Sequence, residues 1–141
     1  MTAVIPLFQL MKIDISHLSK QELLILEAEL FIHIYEELKE FFREQYKDYF
    51  RLMKLTKQME SSMLESNFVS SIVKDILSTQ EYTLQGIAEY TDFHEDVVMD
   101  IIAGKNNCPS SIFLKRIIEL HRSVRSELYK AIMKKISEHM G

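Results

Sequence analysis

Between Ser19 and Ser61 the chain holds neither Gly nor Pro, and apolar positions recur at alternating intervals of four and three. Leu24, Ala28, Phe31, Tyr35, Leu38, Phe42, Gln45, Tyr49, Leu52, Thr56 and Met59 form this series. Such heptad spacing predicts a long, coiled-coil-like helical region with a seam that is polar only at Gln45 and Thr56. Ser19 followed three residues later by Glu22 has the spacing of a capping box and marks the helix start. Charged pairs such as "EE", "KE" and "KD" fall between the seam positions and suit solvated faces. Ile25, Leu26, Leu30, Ile32, Ile34 and Phe41 lie off the seam, so the first part is apolar on more than one side. Two forms stay open: one helix through Ser61, or a bend near "EQYKDY" that makes a helical hairpin. A stripe of this length exceeds what the second half can cover, which favours dimerisation through Leu24, Phe31, Tyr35, Leu38, Phe42, Tyr49 and Leu52 over an internal helical core.

Residues 62–141 change to shorter periods. "SNFVSSIVKDILSTQ" places Phe68, Ile72, Val73, Ile76 and Leu77 on one face of an amphipathic helix. Four shorter segments follow, interrupted at "TDF" and "GKNNCPS". Ser110 or Ser111, after Pro109, is a cap for "SIFLKRIIELH", and "RSELYKAIMKKISEHM" closes the chain with Leu128, Ile132 and Ile136 at helical spacing. The expected architecture is all-α, with a dimerising helical region over 1–61 and a five-helix domain over 62–141. No internal repeat or low-complexity stretch interrupts it.

Within the second region, "IAEYTDFHEDVVMDIIAGK" (87–105) has the spacing of a helix-turn-helix. That motif needs a small residue where its helices cross, a turn residue that tolerates a left-handed backbone, and apolar anchors for the crossing angle. Ala88 is the small residue, Asp92 the turn residue, and Phe93, Val98 and Ile101 the anchors. Thr83 caps the first helix, and Gly104 ends the second.

With these residues in place, "LQGIAEYTDFHEDVVMDIIAGKNNCPSSIFLKRIIEL" resembles the Cro/repressor-type, or XRE-like, helix-turn-helix family. The likeness covers about residues 69–120 and includes Ala88, Val98, Gly104, Pro109 and Ser110. It implies a DNA-binding transcription regulator of bacterial or phage type, working as a dimer. By the same resemblance the second motif helix, opening at His94, reads DNA through Glu95, Asp96, Met99 and Asp100. Backbone contacts would come from Lys105, Asn106, Asn107, Lys115 and Arg116, with Arg122 and Arg125 as further cations. The position at which the family commonly carries a phosphate-contacting Gln falls on Leu84, with Gln85 beside it.

Charge pulls against that picture. The net charge is −4. From Glu81 to Asp100 there are six acidic residues and no Lys or Arg, whereas Lys115 to Lys135 holds seven basic residues against two acidic ones. DNA affinity rests on cations that neutralise phosphates, and Arg, Lys, Asn and Gln do most base reading. An acidic reading helix therefore supports an alternative: an accessory module that keeps the scaffold, has lost DNA binding, and meets a basic protein surface.

Composition narrows the remaining classes. Few turn residues and 47% hydrophobic residues exclude long disorder. A single cysteine, Cys108, allows no internal disulfide and fits a reducing, cytoplasmic setting. The run "AVIPLFQLM" is too short to span a bilayer and has no basic flank, so no membrane partner is expected. No nucleophile elbow, phosphate loop or zinc spacing occurs, and His94, Glu95 and Asp96 fan around a helix instead of converging. The expectation is a non-enzyme with no metal and no cofactor. Its partners would be a second copy of itself, DNA or another protein.

Overall fold

The computed structural model describes residues 16–106 and 109–140; the "AVIPLFQLM" run, Asn107 and Cys108 lie outside them. All regular structure among the described residues is helical. The helices are α1 (Lys20–Gln45), α2 (Lys47–Leu52), α3 (Lys57–Ser66), α4 (Phe68–Ser78), α5 (Leu84–Thr91), α6 (Glu95–Ile102), α7 (Ser111–Val124) and α8 (Ser126–Met140). No helix among these residues is long and apolar enough to cross a membrane.

The start of α1 is the capping box expected from its sequence. Ser19 N donates to Glu22 Oε1 and Glu22 N donates to Ser19 Oγ, each at 3.1 Å. Two backbone amides that the helix cannot satisfy internally thus find partners. The helix stops at Gln45 and the short α2 follows, so of the two open forms the chain takes the hairpin, but its reversal lies at residues 53–56 after α2 instead of at "EQYKDY". Phe50 turns inward at 4% exposed, with the rings of Tyr46 and Tyr49 centred 6.2 and 6.1 Å from its own. The chain then reverses: Lys39 Nζ faces Glu65 Oε1 at 3.4 Å, and Arg43 Nη2 donates to Ser61 Oγ at 3.2 Å. Residue numbers that fall on one side as they rise on the other mean that α3 runs antiparallel to the end of α1.

The heptad series is therefore broken between Gln45 and Met59. Leu38 and Phe42 are buried, Phe31 and Tyr35 half-buried, and Leu24, Tyr49 and Leu52 exposed, Leu52 by 80%. The buried row of α1 is Leu30, Ile34, Leu38 and Phe42, at intervals of four. It includes two of the residues that lay off the heptad seam.

The described residues divide into two compact units, one holding those within 16–38 and 125–140, the other those within 39–124. In the first, Leu30, Ile34 and Leu38 of α1 are buried, as are Tyr129, Ile132, Met133 and Ile136 of α8. Lys135 Nζ meets Glu37 Oε2 at 3.1 Å and ties the two helices at their edge.

In the second unit α4 is the central element. Phe68, Val69, Ser70, Ser71, Ile72, Val73, Asp75 and Ile76 are all buried, so this helix is covered on almost every side. Helices α6 and α7 both pack on α4, and both also pack on α5. Full burial of an Ile such as Ile72 or Ile76 contributes about 1.5–3 kcal/mol. The rings of Phe42 and Phe68 meet edge-on at 6.4 Å, and those of Phe93 and Phe113 at 5.2 Å. Such edge-to-face pairs add about 0.5–1.5 kcal/mol each beyond burial.

Four helix ends in this unit share one device. Lys54, Gln80, Asp92 and Gly104 all have left-handed φ, at 54°, 63°, 59° and 78°. After α2, Lys54 N bonds to Arg51 O and Leu55 N to Phe50 O, the paired closure of a Schellman motif. Only one of the four positions is Gly. A side chain with a Cβ costs about 1–2 kcal/mol in this conformation. Lys54→Gly and Gln80→Gly, made singly, are expected to raise unfolding free energy by about 0.5–1 kcal/mol in urea titrations, after the higher chain entropy of Gly is offset. A loss of stability would show that these side chains contribute more than their backbone strain costs.

The capping box has a pH consequence. Hydrogen bonds from the Ser19 backbone and side chain hold the Glu22 carboxyl below the usual carboxylate range. A group whose folded pKa is depressed stabilises at pH above its unfolded value and loses that effect as pH falls through the folded one. Amide exchange over residues 19–23 is expected to accelerate as pH drops below the ordinary carboxylate range, beyond the intrinsic pH trend. In Glu22→Gln that excess should vanish.

Candidate functional site

The two short helices α5 and α6 and the turn between them bring together most of the residues singled out from the sequence. Thr83 opens α5: its Oγ1 accepts from Gly86 N at 3.0 Å. The helix closes at Asp92, whose φ of 59° and ψ of 42° place it in the left-handed region. Asp92 N bonds to Glu89 O at 3.3 Å and Phe93 N to Ala88 O at 3.1 Å. That pair of bonds is a Schellman closure, with Phe93 following Asp92 as its apolar residue. Ala88 is 5% exposed on α5, and Val98 and Ile101 of α6 are 0% and 1% exposed. Phe93 is half-buried against Phe113.

Thr91 is a buried polar residue at the end of α5. Its hydroxyl donates back to Ile87 O at 2.9 Å, and its own carbonyl accepts from Arg116 Nη1 at 2.7 Å. The Arg116 guanidinium is thus turned toward the C-terminal end of α5, where a cation complements the helix dipole.

His94 opens α6, its Nδ1 accepting from Asp96 N at 3.1 Å. The same Nδ1 lies 3.4 Å from Asp96 Oδ2. Glu95, Asp96, Met99 and Asp100 are all exposed, so the outer face of α6 is acidic around one apolar side chain. Glu95 and Asp96 lie in the first turn, where carboxylates are favourable with the helix dipole. Asp100 lies in the last full turn and gains nothing from it. Gly104 ends α6 at φ 78°, with Gly104 N bonded to Ile101 O and Lys105 N to Asp100 O.

The remaining expected contacts are spread out. Gln85 is exposed and donates to Glu89 Oε1 at 3.3 Å along its own helix. Lys105 is exposed beyond α6; Asn106 and Lys115 are half-buried, as are Arg122 and Arg125. Asn107 lies outside the described residues. Ser110, one of the two expected caps, takes the role at α7, accepting from Phe113 N at 3.2 Å. Among the described residues no group of three or more His, Cys, Asp and Glu side chains is placed to hold a metal ion.

One cluster was not singled out from the sequence. His121 Nε2 lies 2.7 Å from Asp75 Oδ2, with the two side chains 0% and 3% exposed. Gln45 Nε2 donates to the other carboxylate oxygen at 3.3 Å. With an ionised carboxylate, which only accepts, His121 Nε2 is the donor. The cluster joins α4, α7 and the end of α1. A signal existed: Asp75 falls three residues after Ile72 on an apolar helix face, and His121 four after Ile117. A polar residue inside an apolar row implies a buried partner but does not name it.

No protein-family profile, characterised protein or solved structure matches this chain.

Removing one member of a buried pair strands the other in a dry interior. Asp75→Ala is expected to cost about 3 kcal/mol in urea denaturation, and the apolar pair Asp75→Leu with His121→Phe distinctly less. Equal losses for single and double variants would mean that packing, rather than the polar contact, sets the cost.

Proposed function

We propose that this chain is a dimeric, DNA-binding transcription regulator that uses α5, the Asp92 turn and α6 as a helix-turn-helix. The single observation carrying this reading is the geometry of that unit: two eight-residue helices joined through a left-handed residue, with Ala88, Val98 and Ile101 buried between layers and one face of α6 exposed. This is the arrangement a reading helix needs in order to enter a major groove. Phosphate contacts come from Lys105, Lys115 and the neighbouring asparagines. The dimer would form through the exposed apolar side chains of the N-terminal helix, of which Leu24 and Ile25 are each more than half exposed. The cell interior is the natural place for such a protein.

A second reading is favoured by the charges. The exposed carboxylates of α6 repel phosphates, and Arg116 has its guanidinium on the Thr91 carbonyl. On this reading the same face, with Met99 at its centre, meets a basic protein surface.

Fluorescence anisotropy of mixed-sequence duplex DNA, titrated at several salt concentrations, separates the two. The DNA reading expects affinity that weakens about a hundredfold from roughly 50 to roughly 200 mM salt, the response of about four neutralised phosphates. Lys105→Glu should weaken binding on every sequence alike. An absence of binding at low salt would sink generic DNA affinity and leave the protein-binding reading standing.

A further inference from the structure

Within the unit of residues 39–124, a cavity of about 300 Å³ lies beside the bend. Its walls are mainly apolar, the rings of Tyr46, Tyr49 and Phe50 with Met63 and Leu64 of α3, and the Asn67 amide lies among them. Its remaining side is α4, which supplies Ser71 and Lys74, three residues apart and so on one helix face. Ser71 is 4% exposed, while Lys74 is exposed at the rim. Lys74 forms no ion pair among the described residues.

An apolar cavity with aromatic walls, a few polar groups on one side and an uncompensated cation at its mouth has the make-up of a small-molecule site. The volume stands at the lower end for such sites and holds one or two rings. Tyr46 and Phe50 offer aromatic faces and edges, and the Met63 thioether adds a polarisable contact to a ring. A cation at the mouth selects an anionic group that stays near solvent while the rings enter. A dianion or a sugar phosphate fits poorly, because Lys74 is the single cation among the lining residues and the other polar groups there, the Tyr46, Tyr49 and Ser71 hydroxyls and the Asn67 amide, are neutral.

We propose that this cavity is a binding site for a small aromatic acid, with the rings between Phe50, Met63 and Leu64 and the carboxylate or sulfonate on Lys74. The site stands apart from α5 and α6 and does not depend on what those helices bind.

The test uses the full chain and two matched probes: 8-anilinonaphthalene-1-sulfonate, and N-phenyl-1-naphthylamine, which has the same rings without the sulfonate. Fluorescence titrations on the folded protein should show saturable binding of the sulfonate, tighter than that of the neutral amine. Lys74→Met should weaken the sulfonate about fivefold, the upper end for a solvent-facing ion pair, and leave the amine unchanged. Lys74→Arg should retain both. Met63→Trp, which fills the cavity, should abolish both in a chain whose thermal unfolding stays cooperative. If that variant does not fold, the exposed Lys74 substitutions still decide the matter. Equal affinity for the two probes in the parent chain overturns the proposal, as does a sulfonate affinity indifferent to Lys74→Met. Binding that survives in folded Met63→Trp would place the probes elsewhere and overturn it too.

Discussion

The buried contact between Asp75 and His121 constrains the unit of residues 39–124 more than any other polar interaction in it. A carboxylate removed from water is costly unless it is closely partnered, and here the partners come from two other elements, His121 on α7 and Gln45 at the end of α1. Apolar packing between α4 and α7 is non-directional and tolerates small rotations about either helix axis. A 2.7 Å contact in a dry interior does not. It therefore sets the rotation of α4 while Ile72, Val73 and Ile76 provide the bulk of the burial. Once α4 is fixed, Ser70 Oγ reaches Ile102 O at the end of α6, and Ser71 and Lys74 face the cavity beside the bend.

Around this centre the chain makes tight turns with very few glycines. Three of the four left-handed residues carry side chains. Each closes a helix so that the next can start in a new direction within a few residues. The conformational cost is spread over Lys54, Gln80 and Asp92, and Asp bears it best because its short polar side chain can hydrogen-bond locally. Asp92 is the one that sets the angle between α5 and α6, so the residue that best tolerates the left-handed region stands where the crossing matters most.

Charge is arranged on a different plan from shape. The acidic residues that open α6 are favourable with their own helix dipole, which accounts for Glu95 and Asp96 without any ligand. Asp100 has no such local reason, and with Met99 it gives the outer face a character of its own. Arg116, a cation in sequence reach of the motif, is spent on the Thr91 carbonyl. Shape and charge are set separately, since packing and surface potential come from different side chains of the same helices.

Local signals were legible in the sequence and are present in the structure. The Ser19–Glu22 capping box, the Thr83 and Ser110 caps, the left-handed Asp92 and the closing Gly104 each depend on residues within a turn of one another. The all-helical content followed from periodicity in the same way. What spacing did not contain was the reversal between α2 and α3, at residues 53–56: with no Gly or Pro to mark it, the heptad series reads straight through residues 45–59. Burial of Phe50 and the pairing of Lys39 with Glu65 and Arg43 with Ser61 go with that reversal, and those partners are 18 or more residues apart. The same holds for Asp75 and His121, separated by 46 residues, and for Arg116 and Thr91, separated by 25. The sequence by itself determined the local closures at Ser19, Thr83, Asp92, Gly104 and Ser110, because caps and left-handed closures are short-range chemistry. Only the tertiary structure decided which apolar row is buried, which charges are spent inside and where a cavity remains, because those depend on residues that meet only when the chain has folded.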